Sequence, residues 1–491
     1  MSGTVETSGP AHPAMSLARA CAVVLLVAAI VRVFALGGTS LVIENDGIDY
    51  LASAVTSWRL LPLDISRFRT PGYPSILALT FWLMGQSGTA VLIVQHTLGA
   101  IAAVLITRIA ARWVRPAHAM IPGLLVALDP TLLLFGSVMQ TESIGVFLFT
   151  LIVAIALTDT RRLFTAACAL GALLAFSTLV RPTFIVVAPF AVLALASRAG
   201  LRPSTRIGAV VIATVAFALT AYPWLAFNRE RGINGFSAGA SSTLWVSLVQ
   251  QDLLSRDYPL PPDVARRYAP VAKQRGASAD MWRFIAAPSD TAEQRERMPQ
   301  LTKRWAIASI QKDPVAYLQR LPYSFLWQMN YFPLDGFILD SQITWFSYMV
   351  SCDVVDFGRT GSNLHFDGNA RNVDVRALSM SARGGWMRKF YRWWGINHPR
   401  GFPQLPLCAL AIGAGVLGIY RRDWPLVLVL LASAALVGVH VFMLFHQGRY
   451  SLPAMTIWYA TAVIVPAAML RAARGSEEEL KARRVPGVFV R

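Results

Sequence analysis

The chain has 491 residues, of which 55% are apolar and only 15% charged, with a mean hydropathy of +0.48 and a formal net charge of +18. A soluble protein carries about 25% charged residues and has no interior large enough for this much apolar surface. Disorder, a collagen-like chain and a simple cytosolic enzyme are therefore excluded, and an all-α polytopic membrane protein is expected. The basic excess sits beside the apolar runs, where Lys and Arg set topology, so no nucleic-acid partner is expected.

A spanning helix needs about 20 apolar residues. In chain order the candidates are 15–37, 88–107, 119–136, 143–158, 163–180, 182–197, 207–227, 404–420, 424–445 and 452–471. Residues 1–14 carry no basic n-region ahead of a small-residue cleavage site, so 15–37 reads as an uncleaved first helix. The run 72–86 opens with Pro71-Gly72-Tyr73-Pro74 and is short, as interfacial or re-entrant segments are. This makes a bundle of about 10–11 transmembrane helices.

Charge orients the bundle. With a cytoplasmic N-terminus and 72–86 not spanning, the short inside connections hold Arg108, Arg112 and Arg115; Arg161 and Arg162; Arg198, Arg202 and Arg206; Arg421 and Arg422; and Arg471 with Arg474. Each is basic, as the positive-inside rule requires. The division that follows is 1–227, a transmembrane module containing a first outside loop at 38–87; 228–403, an extracytoplasmic loop domain; 404–474, C-terminal transmembrane helices; and 475–491, a charged cytoplasmic tail. Within the loop domain, Ala292 to Leu321 reads as amphipathic helix broken near Pro299 and Pro314. Cys21, Cys168, Cys408 and Cys352 show neither a metal nor a redox spacing.

This topology gathers charged residues on one face. The first outside loop holds Glu44, Asp46, Asp49 and Tyr50, then Arg67 and Arg69. Carboxylates beside a bilayer are costly unless solvated, paired or functional. The loop is thus either solvated or a source of a general base or metal ligand, with arginines for a phosphate. Glu142 opens a helix, where a carboxylate also favours the helix dipole. Arg181-Pro182 lies between two apolar runs, either snorkelling to the interface or binding an anionic head group bidentately. Arg449 and Tyr450 occupy the last outside turn, as an interfacial belt or as further site residues. Asp129-Pro130, inside an apolar run, favours a structural role, and His96 and His440 read as packed core histidines.

Taken in order, these residues resemble the lipid-dependent glycosyltransferases of the GT-C fold. The likeness is to the bacterial branch related to protein mannosyltransferases, aminoarabinose transferases and galacturonic acid transferases. Asp46 and Tyr50 match that family's acidic motif, and Arg69-Thr70-Pro71-Gly72-Tyr73-Pro74 matches its Arg-x-Pro-Gly-Tyr-Pro motif. Gln95, Glu142, Arg181-Pro182, Pro223-Trp224 with Asn228 and Gly232, and Arg449-Tyr450-Ser451-Leu452-Pro453 follow in order. The chain departs from many relatives at Gly47 and Phe227.

The resemblance implies a GT-C-like bundle and inverting transfer of a sugar from a polyprenyl-phosphate donor. The acceptor would be a lipid, glycan or protein of the envelope, at the outer face of the bacterial inner membrane. Asp46 would be the general base, and Glu142, also catalytic, would help orient the acceptor or bind a divalent ion. Arg69, Arg181 and Arg449 would bind the donor phosphate. Glu44, Asp49, Tyr50, Arg67, Tyr73, Asn228 and Tyr450 would support them. The resemblance leaves a divalent Mg, Mn or Zn cofactor open, with Asp46 and Glu142 as its ligands if one is bound. A transporter or flippase, a glycan ligase and a non-enzymatic assembly factor are the competing readings. A transporter or flippase predicts inverted repeats. A glycan ligase would rest on loop residues such as His365 and His398.

Overall fold

The computed structural model describes residues 15–38, 41, 47, 49–51, 53–54, 69–158, 162–198, 200–237, 239–273, 284–285, 291–329, 365–366, 369–370, 403–443, 451–470 and 472. Nearly all of them are helical. The only strands among them are a two-residue antiparallel pair, His365–Phe366 with Asn369–Ala370.

The helices are α1 (Leu17–Gly38), α2 (Gly72–Met84), α3 (Gly88–Ala110), α4 (Pro116–Leu128), α5 (Pro130–Gly136), α6 (Thr141–Leu157) and α7 (Leu163–Val180). A 3-10 turn, Pro182–Val187, then leads to α8 (Ala188–Ala196) and α9 (Pro203–Glu230). After them come α10 (Gly239–Gln250), α11 (Pro262–Lys273), α12 (Ala292–Lys312) and α13 (Pro314–Met329). The last three are α14 (Gln404–Tyr420), α15 (Trp424–Phe442) and α16 (Leu452–Ala462). The final apolar helix continues to Leu470.

Among the described residues six helices are long and apolar enough to cross a bilayer, and the bent pair α4–α5 makes a seventh. Four apolar helices are shorter: α2, α6, Pro182–Ala196 and α14. All eleven segments expected from hydropathy are thus helical, in an all-α, multi-pass membrane protein. At 13 residues, α2 is only about 20 Å long, well short of the hydrocarbon core.

The main core is rich in Ala, Val and Leu from α1, α3, α4, α6, α8, α15 and α16. Small residues let backbones approach closely without a hydrophobic drive between helices. Gly171 of α7 shows this, because a Cβ there would lie 2.1 Å from the Ala213 carbonyl oxygen of α9.

The α4–α5 break bends by 51°. Asp129 caps the second piece, its Oδ1 accepting from the Thr131 and Leu132 amides at 2.8 and 3.1 Å. Its Oδ2 accepts from the Tyr459 hydroxyl at 2.8 Å. Arg32 of α1, only 4% exposed, donates through Nη1 to the Ala127 carbonyl at 3.3 Å, just before the break. Asp129 is structural, as its neighbouring proline suggested. His96 lies against Gly136 with Nε2 3.3 Å from Ser137 Oγ, and His440 Nδ1 lies 2.9 Å from the Leu436 carbonyl. Both are core histidines.

One end of the bundle collects the basic turns. Trp113 Nε1 donates to Asp423 Oδ2 at 2.9 Å, and Arg198 Nη2 donates to the Ile155 and Ala156 carbonyls. The turns after α3, α6, α8 and α14 therefore share this end. At the other end α10–α12 enclose a separate aromatic core. Trp245 stacks on Phe284 at 4.9 Å and Tyr258 on Trp305 at 5.6 Å. The break expected near Pro299 is absent, since α12 runs through it. Pro299 lies beyond the first turn, where the Thr302 hydroxyl donates to the Met298 and Pro299 carbonyls. The break comes at Asp313-Pro314, where Asp313 Oδ1 accepts from the Ala316 amide and restarts the helix as α13.

Candidate active site

The site lies at the end opposite the basic turns. Its centre is the start of α6 and the end of α7. Glu142 sits in the first turn of α6 and is 1% exposed. Arg181 is the residue after α7, and the following proline disfavours helical backbone there. Its backbone is extended, with φ −149° and ψ 115°. The turn directs its guanidinium to Glu142, and Nη2 donates to Oε1 at 2.8 Å. Both groups are largely buried, and each makes the other's burial tolerable.

The Arg-x-Pro-Gly-Tyr-Pro segment packs directly on this turn. Thr70 Oγ1 donates to the Val180 carbonyl at 3.4 Å. A Cβ at Gly72 would lie 2.5 Å from the Val180 nitrogen and 2.6 Å from the Leu179 carbonyl carbon, so only glycine allows the two backbones to touch. Arg69 and Arg181 each stand one residue from this contact.

Arg69 is also placed from its own loop. Its Nε donates to Asp49 Oδ2 at 2.8 Å, and its guanidinium lies 5.3 Å from the Tyr50 ring centroid. Tyr50 meets Tyr73 edge to face at 5.0 Å, and the Tyr73 hydroxyl donates to Gln95 Oε1 at 2.8 Å. Gln95 is fixed in turn by donating to the Gly136 and Val138 carbonyls, both at 3.0 Å. A small core containing Leu51, Leu77, Leu92, Ile144 and Val180 seals this arrangement. A chain of contacts thus runs from the α3–α5 framework to Arg69.

Asn228 has a different place from the rest. It is fully buried, and Nδ2 donates to the Gly235 and Phe236 carbonyls at 2.8 and 3.0 Å. Trp224 Nε1 donates to the same Phe236 carbonyl, and Trp224 packs with Leu179. Asn228 shapes the turn after α9 and seats it beside the end of α7.

The structure therefore brings together Asp49, Tyr50, Arg69, Tyr73, Glu142 and Arg181, with Asn228 behind them. Glu44, Asp46, Arg67, Arg449 and Tyr450 lie outside the described residues. Their described neighbours Asp49 and Ser451 border the site helices. Sequence reasoning missed the Thr70 and Gly72 contacts with Val180, and the part Gln95 plays in holding Tyr73. A lone glutamine within the apolar run 88–107 was the available signal. Among the described residues no group of three His, Cys, Asp or Glu side chains is placed to hold a metal. Glu142 Oε1 is engaged by Arg181 at 2.8 Å.

No protein-family model matches the chain, and no curated protein sequence matches it. Three solved structures are similar in shape. ArnT from Cupriavidus metallidurans bound to undecaprenyl phosphate is 12% identical, over 90% of this chain and 77% of that one, with a TM-score of 0.36. The apo state of the same protein is 13% identical, over 91% and 78%, with a TM-score of 0.33. The oligosaccharyltransferase AglB from Archaeoglobus fulgidus, in complex with an inhibitory peptide and a dolichol-phosphate, is 14% identical. It covers 94% of this chain, which spans about half (52%) of AglB, with a TM-score of 0.45. These are distant likenesses to membrane glycosyltransferases, and the functional reading rests on the residues of the site.

Proposed function

We propose that this chain is a GT-C glycosyltransferase that moves a sugar from a polyprenyl-phosphate donor to a hydroxyl of an envelope lipid, glycan or protein. The site faces the outside of a bacterial inner membrane, and the basic turns face the cytoplasm. The observation that carries this reading is the buried Glu142–Arg181 pair, with the Arg69 loop packed onto it. It offers fixed guanidinium groups at the membrane face, where a lipid phosphate would lie.

In the proposed reaction the acceptor oxygen attacks the anomeric carbon while Asp46 takes its proton as general base. The bond from that carbon to the phosphate oxygen breaks, and its electron pair stays on the polyprenyl phosphate. The configuration inverts. Arg69, Arg181 and Arg449 stabilise the negative charge that develops on the leaving phosphate, as pre-placed donors do. Glu142 holds Arg181 in position, and Gln95 and Tyr73 hold Tyr50 and Arg69. No step is assigned to a metal.

The test compares wild type with Asp46→Asn in liposomes, given a panel of polyprenyl-phosphate sugars and an envelope extract. Release of free polyprenyl phosphate by wild type and its loss in the variant are expected. Release that survives the substitution would move the chemistry away from Asp46. Movement of the intact lipid-linked sugar across the membrane, without release, would make the chain a flippase.

A further inference from the structure

α13 is apolar on its outward face as well as its inward one. In a helix packed on a protein in water, the apolar stripe turns inward and the polar face outward. Here the inward side holds Tyr317 and Leu321, packed on the hydrophobic cores, with Ser324, Gln328 and Met329 fully buried. The outward face carries Val315, Leu318, Tyr323, Phe325 and Leu326, which are 61%, 57%, 48%, 37% and 53% exposed. Five large apolar side chains on one face of a 16-residue helix form a patch that water does not favour.

What covers this face follows from where the helix is tied. The Tyr317 hydroxyl donates to the Phe442 carbonyl in the last turn of α15, which is a spanning helix. Phe442 itself is 59% exposed, so the outward face of α13 continues the lipid-facing belt of the bundle. The helix is turned into this position at Asp313-Pro314, where the chain leaves α12. Exposed Arg320 and Tyr323 lie on it. Both residue types pair an apolar body with a polar tip and suit the head-group level.

We propose that α13 is a membrane-surface helix whose outward face is seated in the lipid leaflet on the site side of the bilayer, anchoring the α10–α12 unit flat against the membrane. The occupant is phospholipid, taken up through the acyl-chain boundary by apolar side chains, as interfacial helices do. This holds whatever reaction the site performs.

The experiment places a nitroxide on a single cysteine at Leu318→Cys or Leu326→Cys. The full-length protein, with its other cysteines replaced by serine, is reconstituted in phosphatidylethanolamine–phosphatidylglycerol vesicles. A label at exposed Gln311 in α12 serves as the aqueous reference. The ratio of oxygen to nickel-chelate collision rates is expected to rise severalfold at 318 and 326 over 311. A ratio equal to that at 311 would put the face in water and overturn the proposal. Low collision rates with both reagents would mean that protein covers it, from residues 330–403 or from another chain, and would overturn it equally. Because labels can disturb folding, unmodified wild type is also irradiated in vesicles containing a photoactivatable phospholipid. Adducts are expected on the 314–329 peptide and not on 292–312, and the reverse distribution would sink the idea.

Discussion

The two ends of the bundle use arginine in opposite ways. At the basic end, Arg198 donates to the last carbonyls of α6, and Arg206 to the Leu201 and Arg198 carbonyls at 3.2 and 3.3 Å. At the site end, Arg181 and Arg69 donate to carboxylates, both at 2.8 Å. A carbonyl partner steadies a guanidinium but leaves its full charge to the surroundings, which suits a residue that orients the protein in a membrane field. A carboxylate partner offsets the cost of burying the guanidinium, which lets Arg181 sit at 11% exposure and hold a fixed direction before any anion arrives.

The strongest way to break this contrast is to unbalance the buried pair. Arg181→Gln strands the Glu142 carboxylate and is expected to cost about 3–5 kcal/mol, read as a lower unfolding temperature in detergent, with loss of sugar transfer. Adding Glu142→Gln should return most of the stability and none of the transfer. A double variant as unstable as the single one would show that the pair is not what burial depends on.

A smaller effect is expected from the contact that carries Arg69 to Arg181. Gly72→Ala puts a methyl group into the backbone of Leu179 and Val180, costing about 1–3 kcal/mol through overpacking. The forced shift should lower transfer by about 100-fold, as misplacement near 1 Å does. Gly145→Ala is the comparison, because its nearest neighbours lie at 3.7 Å, and it should behave as wild type. Equal transfer by both variants would separate Gly72 from the site.

The smallest effect belongs to the basic end. Arg206→Gln should change stability by no more than about 0.5 kcal/mol and leave transfer by correctly oriented protein unchanged. Only the fraction inserted with the basic turns inside should fall, measured by reagent access to a cysteine placed in a basic turn. A loss of transfer per oriented molecule would mean that the two ends are not separate in function.

Hydropathy made the bundle legible, because each apolar run must satisfy its backbone within itself, and the spacing of Arg residues identified the basic end. Glu142, Arg181 and Arg69 were visible as charges on one predicted face. What stayed hidden depended on contacts between distant segments. Nothing local to Gly72 announces that Val180 will touch it, and nothing in α1 marks Arg32 as the donor to Ala127. Pro299 shows the opposite failure, since a local breaker is absorbed where hydroxyl donors and the rest of α12 support the helix. The polarity of α13 reads as ordinary amphipathic helix, and only the packed structure reveals which face is turned out.

The bend between α4 and α5 bears on how the protein is made. Asp129 receives the Tyr459 hydroxyl from 330 residues further along the chain. At about 5–20 residues per second of synthesis, that partner arrives on the order of tens of seconds later. Until then the carboxylate has only the amides of its own helix start and the Thr131 side chain, while Arg32 is already present from the first helix to hold the carbonyl side of the bend. The early helices can thus be kinked correctly during translation, and the last apolar helix acts as the piece that locks them. Loss of residues beyond 451 should therefore leave an inserted bundle whose middle is unclosed, a natural substrate for membrane quality-control proteases.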